Sequence, residues 1–231
     1  HCSGPRAWKE TEIDFLKQVA IQMGFALNQD ILLKQQESLR KQQESEAERA
    51  RLLNEITSQI RQSLDTDYIF NTAVAETRAA LQADRVVVYL FNSAEGRGTI
   101  IAESVARGWP TALGSLIANP CFENRYVILY EKGRVKANED IYKADLSDCH
   151  IKQLETFSVK ANLMVPIIAD GQLQGLLIAH QCSGPRAWTK IEIDFFKQVA
   201  TQVGVALDQA MLLKQQESLR KQQEAEAERA K

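Results

Sequence analysis

The stretch ANLMVPIIADGQLQGLLIAHQ, residues 161 to 181, predicts a β-hairpin. Two aliphatic runs, 161–169 and 172–181, are separated by the pair Asp170-Gly171. An Asp-Gly pair between two such runs favours a two-residue hairpin turn, because the turn requires positive φ angles that these residues tolerate. The stretch therefore predicts two neighbouring antiparallel strands, around which the remaining elements are placed.

Two further segments are rich in β-branched residues and predict strands. They are ADRVVVYLFN at 83–92 and TIIAESVA at 99–106. Helices are predicted on both sides of these strands, at about 66–82 and from 187 onward. The pattern predicts an α+β domain, in which helices pack against an antiparallel sheet.

A repeated segment frames the strand-rich part of the chain. The segment that begins CSGPRAW at Cys2 returns at Cys182, an offset of 180 residues with no gap. Self-similarity of this kind is typical of arrays of like modules. We therefore expect residues 1–30 to be the tail of a preceding module, and a further module to follow Lys231.

The repeated segments predict long helices that link modules. Apolar residues lie at helical spacing at Ile13, Leu16, Ala20, Met23 and Leu27. A second set falls on a seven-residue repeat at Leu32, Leu39, Leu53 and Ile60, interrupted by Glu46. Most companion positions are polar, so two interpretations stay open: a solvated spacer helix, or a weak parallel coiled coil. A weak seam also suits a helix that passes a signal between two registers.

The composition restricts the class of protein. The chain has 231 residues, 45% apolar and 25% charged, and a formal net charge of -2. No basic field favours nucleic acid as a partner. No apolar run approaches the ~18 residues of a membrane span, and no signal peptide is present, which predicts a cytoplasmic location without membrane contact by this segment. The chain begins at His1 rather than at Met, which indicates a piece of a longer protein.

The stretch LSDCHIKQLE, residues 146–155, places a cysteine before a histidine where a helix is predicted to begin. Ser147 is the candidate N-cap, so Cys149 falls in the first turn. Backbone N–H groups and the helix dipole favour the thiolate at such a position. Asp148 opposes this effect, whereas a protonated His150 would add to it.

A second cysteine occupies a similar position. Asn119-Pro120-Cys121-Phe122 begins a predicted helix that runs to Tyr130. Asn is a strong N-cap and Pro suits the first helical position, which puts Cys121 in the first turn.

Several roles are open for the four cysteines. A small buried hydrophobic role suits Cys2 and Cys182, which occupy equivalent places in the two copies. Metal binding is disfavoured because no CxxC occurs and His150 directly adjoins Cys149. A cysteine-protease arrangement is open on spacing, although only three histidines are present and no oxyanion motif is evident. Oxidation or covalent attachment of a cofactor stays open for Cys121 and Cys149.

The run NPCFENRYVILYEKGRVKANEDIYKADLSDCHIKQLETFSVKANLMVPI, residues 119–167, closely resembles the bilin-binding GAF domains called cyanobacteriochromes, of the phytochrome superfamily. AESVARGWP before it and GQLQGLLIAHQCSGPRAW after it fit the same family. The resemblance implies the GAF fold, an antiparallel sheet flanked by helices, with long N- and C-terminal linker helices. The implied domains are the tail of a preceding GAF domain (1–30), a helical linker (31–51), a bilin-binding GAF domain (52–210) and a helical linker toward a further module (211–231).

The resemblance also implies a cofactor and its site. Cys149 matches the cysteine that forms a thioether to ring A of a linear tetrapyrrole, here phycocyanobilin or its isomer phycoviolobilin. His150 is then expected to contact the pyrrole system, and Tyr130 and His180 to line the pocket. Arg134 either neutralises a propionate or has a structural role.

The segment around Cys121 resembles the family's Asp-Xaa-Cys-Phe box, whose cysteine adds reversibly to the central methine bridge of the bilin. Cys121 and Phe122 match the box, but Asn119 stands where Asp is expected. Asn keeps the helix cap and removes the carboxylate that would bind the pyrrole N–H groups. Ile117 replaces a common Trp and Asp145 a common Gly, so these departures leave the absorption colours open.

The implied function is that of a photoreceptor module without enzymatic turnover. Light isomerises the bilin between rings C and D, and the linker helices pass the change to a histidine kinase or a chemotaxis-type output on the same chain. A homodimer through the linker helices is expected. Two alternatives are a cyclic-nucleotide-binding GAF domain, whose Asn-Lys…Phe…Asp-Glu signature is not found, and a bilin-free dimerisation module.

Overall fold

The computed structural model describes residue 4 and residues 6–92, 97–118 and 124–229. The chain divides into two compact units, His1–Ala50 and Arg51–Lys231. The helices are α1 (Glu10–Arg61), α2 (Thr66–Leu81), α3 (Asn124–Glu131), α4 (Asp148–Thr156) and α5 (Lys190–Arg229). The strands are β1 (Arg85–Asn92), β2 (Arg97–Val105), β3 (Leu116–Ala118), β4 (Lys136–Asn138), β5 (Ala161–Ala169) and β6 (Gln172–Gln181).

The two long predicted helices are confirmed. Helix α1 has 52 residues and α5 has 40. Their repeated sequences form the same surface ion pairs: Glu37 with Lys41 at 3.0 Å in α1, and Glu217 with Lys221 at 2.9 Å in α5. Such exposed pairs contribute little to stability because solvent and salt screen them. None of the helices in the described part of the chain is apolar over a length that could cross a membrane.

The second unit contains a six-stranded sheet, counted over the described residues, with the strand order β3-β2-β1-β6-β5-β4. Every neighbouring pair is antiparallel. The predicted hairpin is confirmed as β5 and β6, which close at Ala169 opposite Gln172. Asp170 and Gly171 have φ angles of 51° and 67°, the left-handed values that this turn requires.

The alternation of side chains along the strands gives the sheet two apolar faces. Val86 and Val88 point toward α2 and α5, in the main core, whereas Val87 and Tyr89 lie in a second cluster on the opposite face. A register shift in the pairing of β1 with β2 adds one residue to β2. Because of this bulge, Ile100 lies in the second cluster while Ala102 lies in the main core.

Helix α5 begins at a capping box, three residues later than predicted. The Thr189 hydroxyl accepts from the Glu192 N–H at 3.2 Å, and the Glu192 carboxylate accepts from the Thr189 N–H at 2.8 Å. This reciprocal pair satisfies two backbone N–H groups at the helix start, so the helix begins at Lys190 and not at 187.

Helices α3 and α4 lie on the other side of the sheet from α5. The predicted cap of α4 is confirmed: the Ser147 hydroxyl accepts from the His150 N–H at 3.4 Å, and the helix begins at Asp148. Helix α3 begins at Asn124 among the described residues and ends at Glu131, one residue beyond the predicted end. The predicted start at residues 119–122 lies outside the described residues.

Candidate functional site

A cavity of about 70 Å³ lies on the sheet face opposite α2 and α5. Strands from both halves of the sheet supply its floor, and α4 supplies one wall. Its described lining is mostly apolar and consists of Val87, Tyr89, Ile100, Ile117, His150, Gln153, Leu154, Phe157, Asn162, Met164, Leu176, Ile178 and His180. A concave apolar site with a few polar groups is the usual form of a small-molecule site.

A row of polar side chains crosses one end of the sheet beside this cavity. Asn138, Asn162, His180 and Arg85 stand directly opposite one another on four adjacent strands, β4, β5, β6 and β1. All four are buried. Buried polar groups require partners, so the contacts of this row determine which atoms are left to face a ligand.

Arg85 is neutralised inside the protein. Its Nε lies 2.9 Å from Glu103 Oε1, an ion pair in which both side chains are almost fully buried. The N–H direction is not aligned for a hydrogen bond to that oxygen, since Arg85 Nε has no hydrogen-bond partner. Glu103 also accepts from the N–H groups of Ala112 and Leu113, at 2.9 and 3.1 Å. Arg85 in turn donates to the carbonyl oxygen of Phe157 at 3.1 Å.

His180 is held neutral by its surroundings. Burial lowers its pKa to about 3, and the positive charge of Arg85 and the neighbouring His150 act in the same direction. Arg85 Nη1 lies 3.5 Å from His180 Nδ1. A guanidinium can only donate, so Nδ1 must be the unprotonated nitrogen and Nε2 carries the proton. His180 therefore presents a neutral imidazole to the cavity.

The structure brings two of the predicted site residues into the cavity wall, His150 and His180. Burial also lowers the pKa of His150. Cys149 lies beside His150 in the first turn of α4, on the exposed side of the helix. Its sulfur is disulfide-bonded in this structure, so it is available for other covalent chemistry only after reduction.

The other predicted residues are placed as follows. Tyr130 is buried behind the wall, with its hydroxyl 3.7 Å from the sulfur of Met164, which does line the cavity. Ile117 lines the cavity, Arg134 is half-buried in the turn after α3, and Asp145 is exposed before α4. The predicted residues Asn119, Cys121 and Phe122 lie outside the described residues.

Sequence reasoning missed Tyr89, Asn162 and Arg85. Arg85 at the start of an otherwise apolar strand was a signal in the sequence. Asn162 comes opposite His180 only through the register shift between Ile167 and Ile168, which the turn alone does not predict. Pairing of β1 with β6 was not predicted, so the row could not be assembled. Among the described residues, no group of three or more His, Cys, Asp or Glu side chains is placed to hold a metal ion.

Comparison with known proteins identifies the class. The family model described as GAF domain matches residues 65–207, more than half of the chain. The crystal structure of the cyanobacteriochrome TePixJ GAF domain superposes with a TM-score of 0.62 at 47% identity, over 67% of this chain and 96% of that chain. The chain belongs to the GAF domain family and, within it, to the cyanobacteriochrome GAF domains. The predicted fold and family are thereby confirmed.

Two longer proteins and a further solved structure are also similar to this chain. A putative methyl-accepting chemotaxis protein of Synechocystis is 46% identical over 94% of this chain, and the circadian input-output histidine kinase CikA of Synechocystis is 36% identical over 72%. The chain spans only 21% and 25% of those two proteins. A phycocyanobilin-bound GAF domain from a cyanobacterial phytochrome matches with a TM-score of 0.64 at 29% identity, over 71% of this chain and 96% of that chain.

Proposed function

We propose that this chain is a light-sensing module that holds a linear tetrapyrrole over the second face of its sheet, attached through Cys149. The observation that carries the proposal is the apolar cavity walled by His150 and His180, directly beside the first turn of α4. The similarity to a cyanobacteriochrome GAF domain and to a phycocyanobilin-bound GAF domain supports it.

The chemistry of the cavity fits such a cofactor. Its wall offers apolar contact, neutral imidazoles and two buried polar atoms without a hydrogen-bond partner, Tyr89 Oη and Asn162 Nδ2. Its volume of about 70 Å³ is smaller than the ~300–1,000 Å³ of pockets that enclose organic ligands. Loading therefore requires the walls to move apart. When bound, a linear tetrapyrrole supplies visible absorption and a double bond that light can isomerise.

Cys149 supplies the attachment. The reduced thiol adds across the carbon–carbon double bond of the ring A side chain: the S–C bond forms, the S–H proton ends on the adjacent carbon, and no oxidant is consumed. The backbone N–H of His150 donates to the Ser147 hydroxyl, and this bond fixes the first turn of α4, in which Cys149 lies.

Co-expression with phycocyanobilin synthesis, followed by zinc-enhanced fluorescence on a denaturing gel, tests the attachment. The wild-type chain and the Cys182→Ala control are expected to fluoresce, because Cys182 is a buried thiol away from the cavity lining. Cys149→Ala is expected to lose the signal. A fluorescent Cys149→Ala band would overturn the assignment, and a colourless wild-type chain would overturn the function.

Cys121 is proposed as a second thiol that binds the cofactor in one photostate. Asn119 offers a carbonyl oxygen but no negative charge. The cationic form of the bilin, which is the better electrophile, therefore loses ~1–3 kcal/mol of stabilisation relative to a carboxylate at this position. We therefore expect incomplete addition and a mixture of short- and long-wavelength forms. Cys121→Ser should leave the long-wavelength bands alone, and Asn119→Asp should enrich the blue-absorbing form. A wild-type spectrum that Cys121→Ser does not change makes this thiol structural.

The cavity also bears on the two alternative functions. Binding of a cyclic nucleotide needs groups that neutralise a phosphate, and no lysine or arginine is among the described lining residues. A bilin-free dimerisation module would remain colourless after co-expression. A single absorbance spectrum separates these alternatives from the proposal.

The first 30 residues are proposed to dock on the sheet of a preceding GAF module in the parent chain. In the second copy of the repeat the same residue types are buried in the core. The exposed fractions are 50% for Trp8 and 6% for Trp188, 65% for Phe15 and 7% for Phe195, and 38% for Val19 and 0% for Val199. The occupant that fits this face is therefore the helix-facing side of another such sheet, which would bury it in the same way.

A glycine provides the test of this docking. A Cβ built on Gly204 would overlap the carbonyl oxygen of Ile168, whereas one built on the equivalent Gly24 meets nothing. Gly24→Ala should not lower the stability of this chain and should destabilise a longer chain that includes the preceding module. Equal stability of that longer chain with and without the substitution would exclude docking in this register.

The signal is proposed to leave through the long helices. The chemotaxis-type and kinase relatives are several times longer than this chain. We infer that a light-driven change at the cavity reaches α5 through the sheet and is read by a histidine kinase or chemotaxis-type output on the same parent chain. The domain itself then performs no enzymatic turnover.

A further inference from the structure

A cluster of three side chains, Arg6, Trp8 and Glu12, lies at the start of α1. The Arg6 guanidinium donates to the Glu12 carboxylate and lies over the Trp8 ring, 4.9 Å from the ring centroid. Glu12 also accepts from the N–H of Lys9 at 2.9 Å. These contacts join residues that are close in the sequence, so the local sequence is enough to form the cluster. We call Arg6, Trp8 and Glu12 the N-terminal clasp.

The equivalent residues of the second copy form the same cluster at the start of α5. Arg186 donates to Glu192 and lies over the Trp188 ring, 4.6 Å from the ring centroid. The exposed fraction of the arginine side chain is 44% for Arg6 but 20% for Arg186. Because the two clusters occupy the same positions of the repeat, the contacts that cover Arg186 indicate the kind of partner that fits Arg6.

Arg186 holds the carboxyl end of α2. Its Nη2 donates to the carbonyl oxygen of Leu81 at 2.7 Å, and its Nη1 donates to that of Gln82 at 3.4 Å. Gln82 ends the helix in the left-handed conformation, with a φ of 50°. The last carbonyl groups of a helix have no partner within the helix and lie at the negative end of its dipole. A guanidinium at this place therefore satisfies two acceptors and complements the dipole.

Charge restricts the ligand of the N-terminal clasp. Because Arg6 is already paired with Glu12, a carboxylate or phosphate placed here would meet a neutral pair and would be repelled by Glu12. Among the described residues, the hydrogen bonds of the Arg6 side chain go to Glu12, whereas a guanidinium has five N–H donors. Neutral carbonyl oxygens can accept from the other donors without adding charge.

We propose that the N-terminal clasp is a docking site for the carboxyl end of a helix, the equivalent of α2 in the preceding module, whose last carbonyl oxygens accept from the Arg6 guanidinium. The inference rests on the proposed docking of the first 30 residues and adds the contact that sets its register. A helix displaced by one turn would still bury apolar side chains against the sheet, but its arginine would miss the carbonyl oxygens.

Thermal unfolding of this chain calibrates the contact at Arg186. Arg186→Lys keeps a positive charge beside Glu192, but an ammonium does not reproduce the planar fork that reaches two carbonyl oxygens and a carboxylate together. The Tm should fall by about 3–10 °C, the loss expected for hydrogen bonds to a charged group. Arg6→Lys should leave the Tm of this chain unchanged, because a lysine at this position still pairs with Glu12.

The test of the clasp uses a longer chain that includes the preceding module. In calorimetry, Arg6→Lys should lower the Tm of the transition that this longer chain adds, by about the amount that Arg186→Lys lowers the Tm of the present chain. Arg40→Ala is the matched control, because it removes an exposed arginine of α1 that pairs with Glu44 at 3.8 Å. It should leave the added transition unchanged.

The substitution Gly24→Ala in the same longer chain separates the clasp from the docking itself. If Gly24→Ala lowers the Tm of the added transition and Arg6→Lys does not, the docking stands and the contact of Arg6 with the helix end is overturned. If neither substitution lowers it, the proposed docking fails and this inference fails with it.

Discussion

His180 shows how one side chain depends on the whole row that crosses the sheet. Its Nδ1 faces Arg85, its ring lies in the cavity wall, and Cys182 and His150 are the other titratable groups beside it. Arg85 is itself paired with Glu103, and among the described residues the charged neighbours that shift the imidazole pKa are Arg85 and His150, which both act to lower it. A cavity histidine of this kind stays uncharged well into the acidic range.

The stability of the bilin-free protein should therefore fall as the pH is lowered from about 6.5. The unfolded chain protonates this histidine near pH 6.5, whereas the folded protein does so only at about pH 3. Between these values the unfolded state binds more protons, so the free energy of unfolding decreases by at most about 1.4 kcal/mol per pH unit.

Urea unfolding between pH 6.5 and 5 measures this slope while most carboxylates stay ionised. His180→Gln should reduce the slope of the unfolding free energy against pH by up to about 1.4 kcal/mol per pH unit, the contribution of one proton. Burial lowers the pKa of His150 and gives a slope in the same direction, so His150→Gln is the comparison. An identical slope in wild type and His180→Gln would contradict the buried neutral state.

Arg85→Met should destabilise the fold by about 3–5 kcal/mol, because it leaves Glu103 buried without its counter-charge. Adding Glu103→Gln should restore part of that loss, since it removes the uncompensated charge, while its single amide oxygen keeps only one of the two acceptors that the carboxylate offers to Ala112 and Leu113. Chemical denaturation of the single and double variants checks the coupling. A decrease in the free energy of unfolding below about 1 kcal/mol in Arg85→Met would contradict a stabilising coupling between Arg85 and Glu103.

At the scale of elements, α5 approaches β5 closely at one glycine. Gly204 lies where any side chain would overlap the carbonyl oxygen of Ile168, so this glycine sets how tightly the helix packs on the sheet. The buried face of α5 then presents Phe196, Val199 and Val203 to the core.

Gly204→Ala should lower the free energy of unfolding by about 1–3 kcal/mol through overpacking, despite the better helix propensity of Ala. Gly24→Ala, at the matched position of the first copy, should cost nothing in the same urea experiment because a Cβ there meets no atom. Equal effects at the two positions would contradict the packing argument.

The strands and helices with strong local signals were predictable. The Asp170-Gly171 turn specified the β5–β6 hairpin, and Ser147 specified the start of α4. The edge strands β3 and β4 have three residues each, too few for an alternating pattern to be seen. The cavity donors Tyr89 and Asn162 depend on the pairing of separate strands and on which face each residue takes, which local sequence does not specify.

At the scale of the whole molecule, the seven-residue repeat of the linkers divides into two parts. Ile60 is buried in the core of the second unit and Leu53 packs against it, so these two positions are not available to a coiled coil. Leu32 and Leu39 are exposed, as are Leu212 and Leu219 in the second copy. The seam left for self-association is therefore short.

We expect a weak parallel dimer through these four exposed leucines, seen by light scattering as a rise in mass with concentration. Leu32→Lys with Leu39→Lys should weaken it by placing like charges on the seam, and Ile13→Lys with Ile21→Lys should serve as the control on another part of α1. A chain that stays monomeric at all concentrations would leave the helices as spacers.

The repeat has one more consequence, which concerns the joints between modules. Matched positions such as Leu39 and Leu219 are 180 residues apart and stand in the same local sequence. In the array of modules that we propose for the parent chain, a splice between any such pair would remove or insert one module and recreate the original helix sequence at the junction, with its phase and its ion pairs. The number of modules in such an array could therefore change without a new linker sequence.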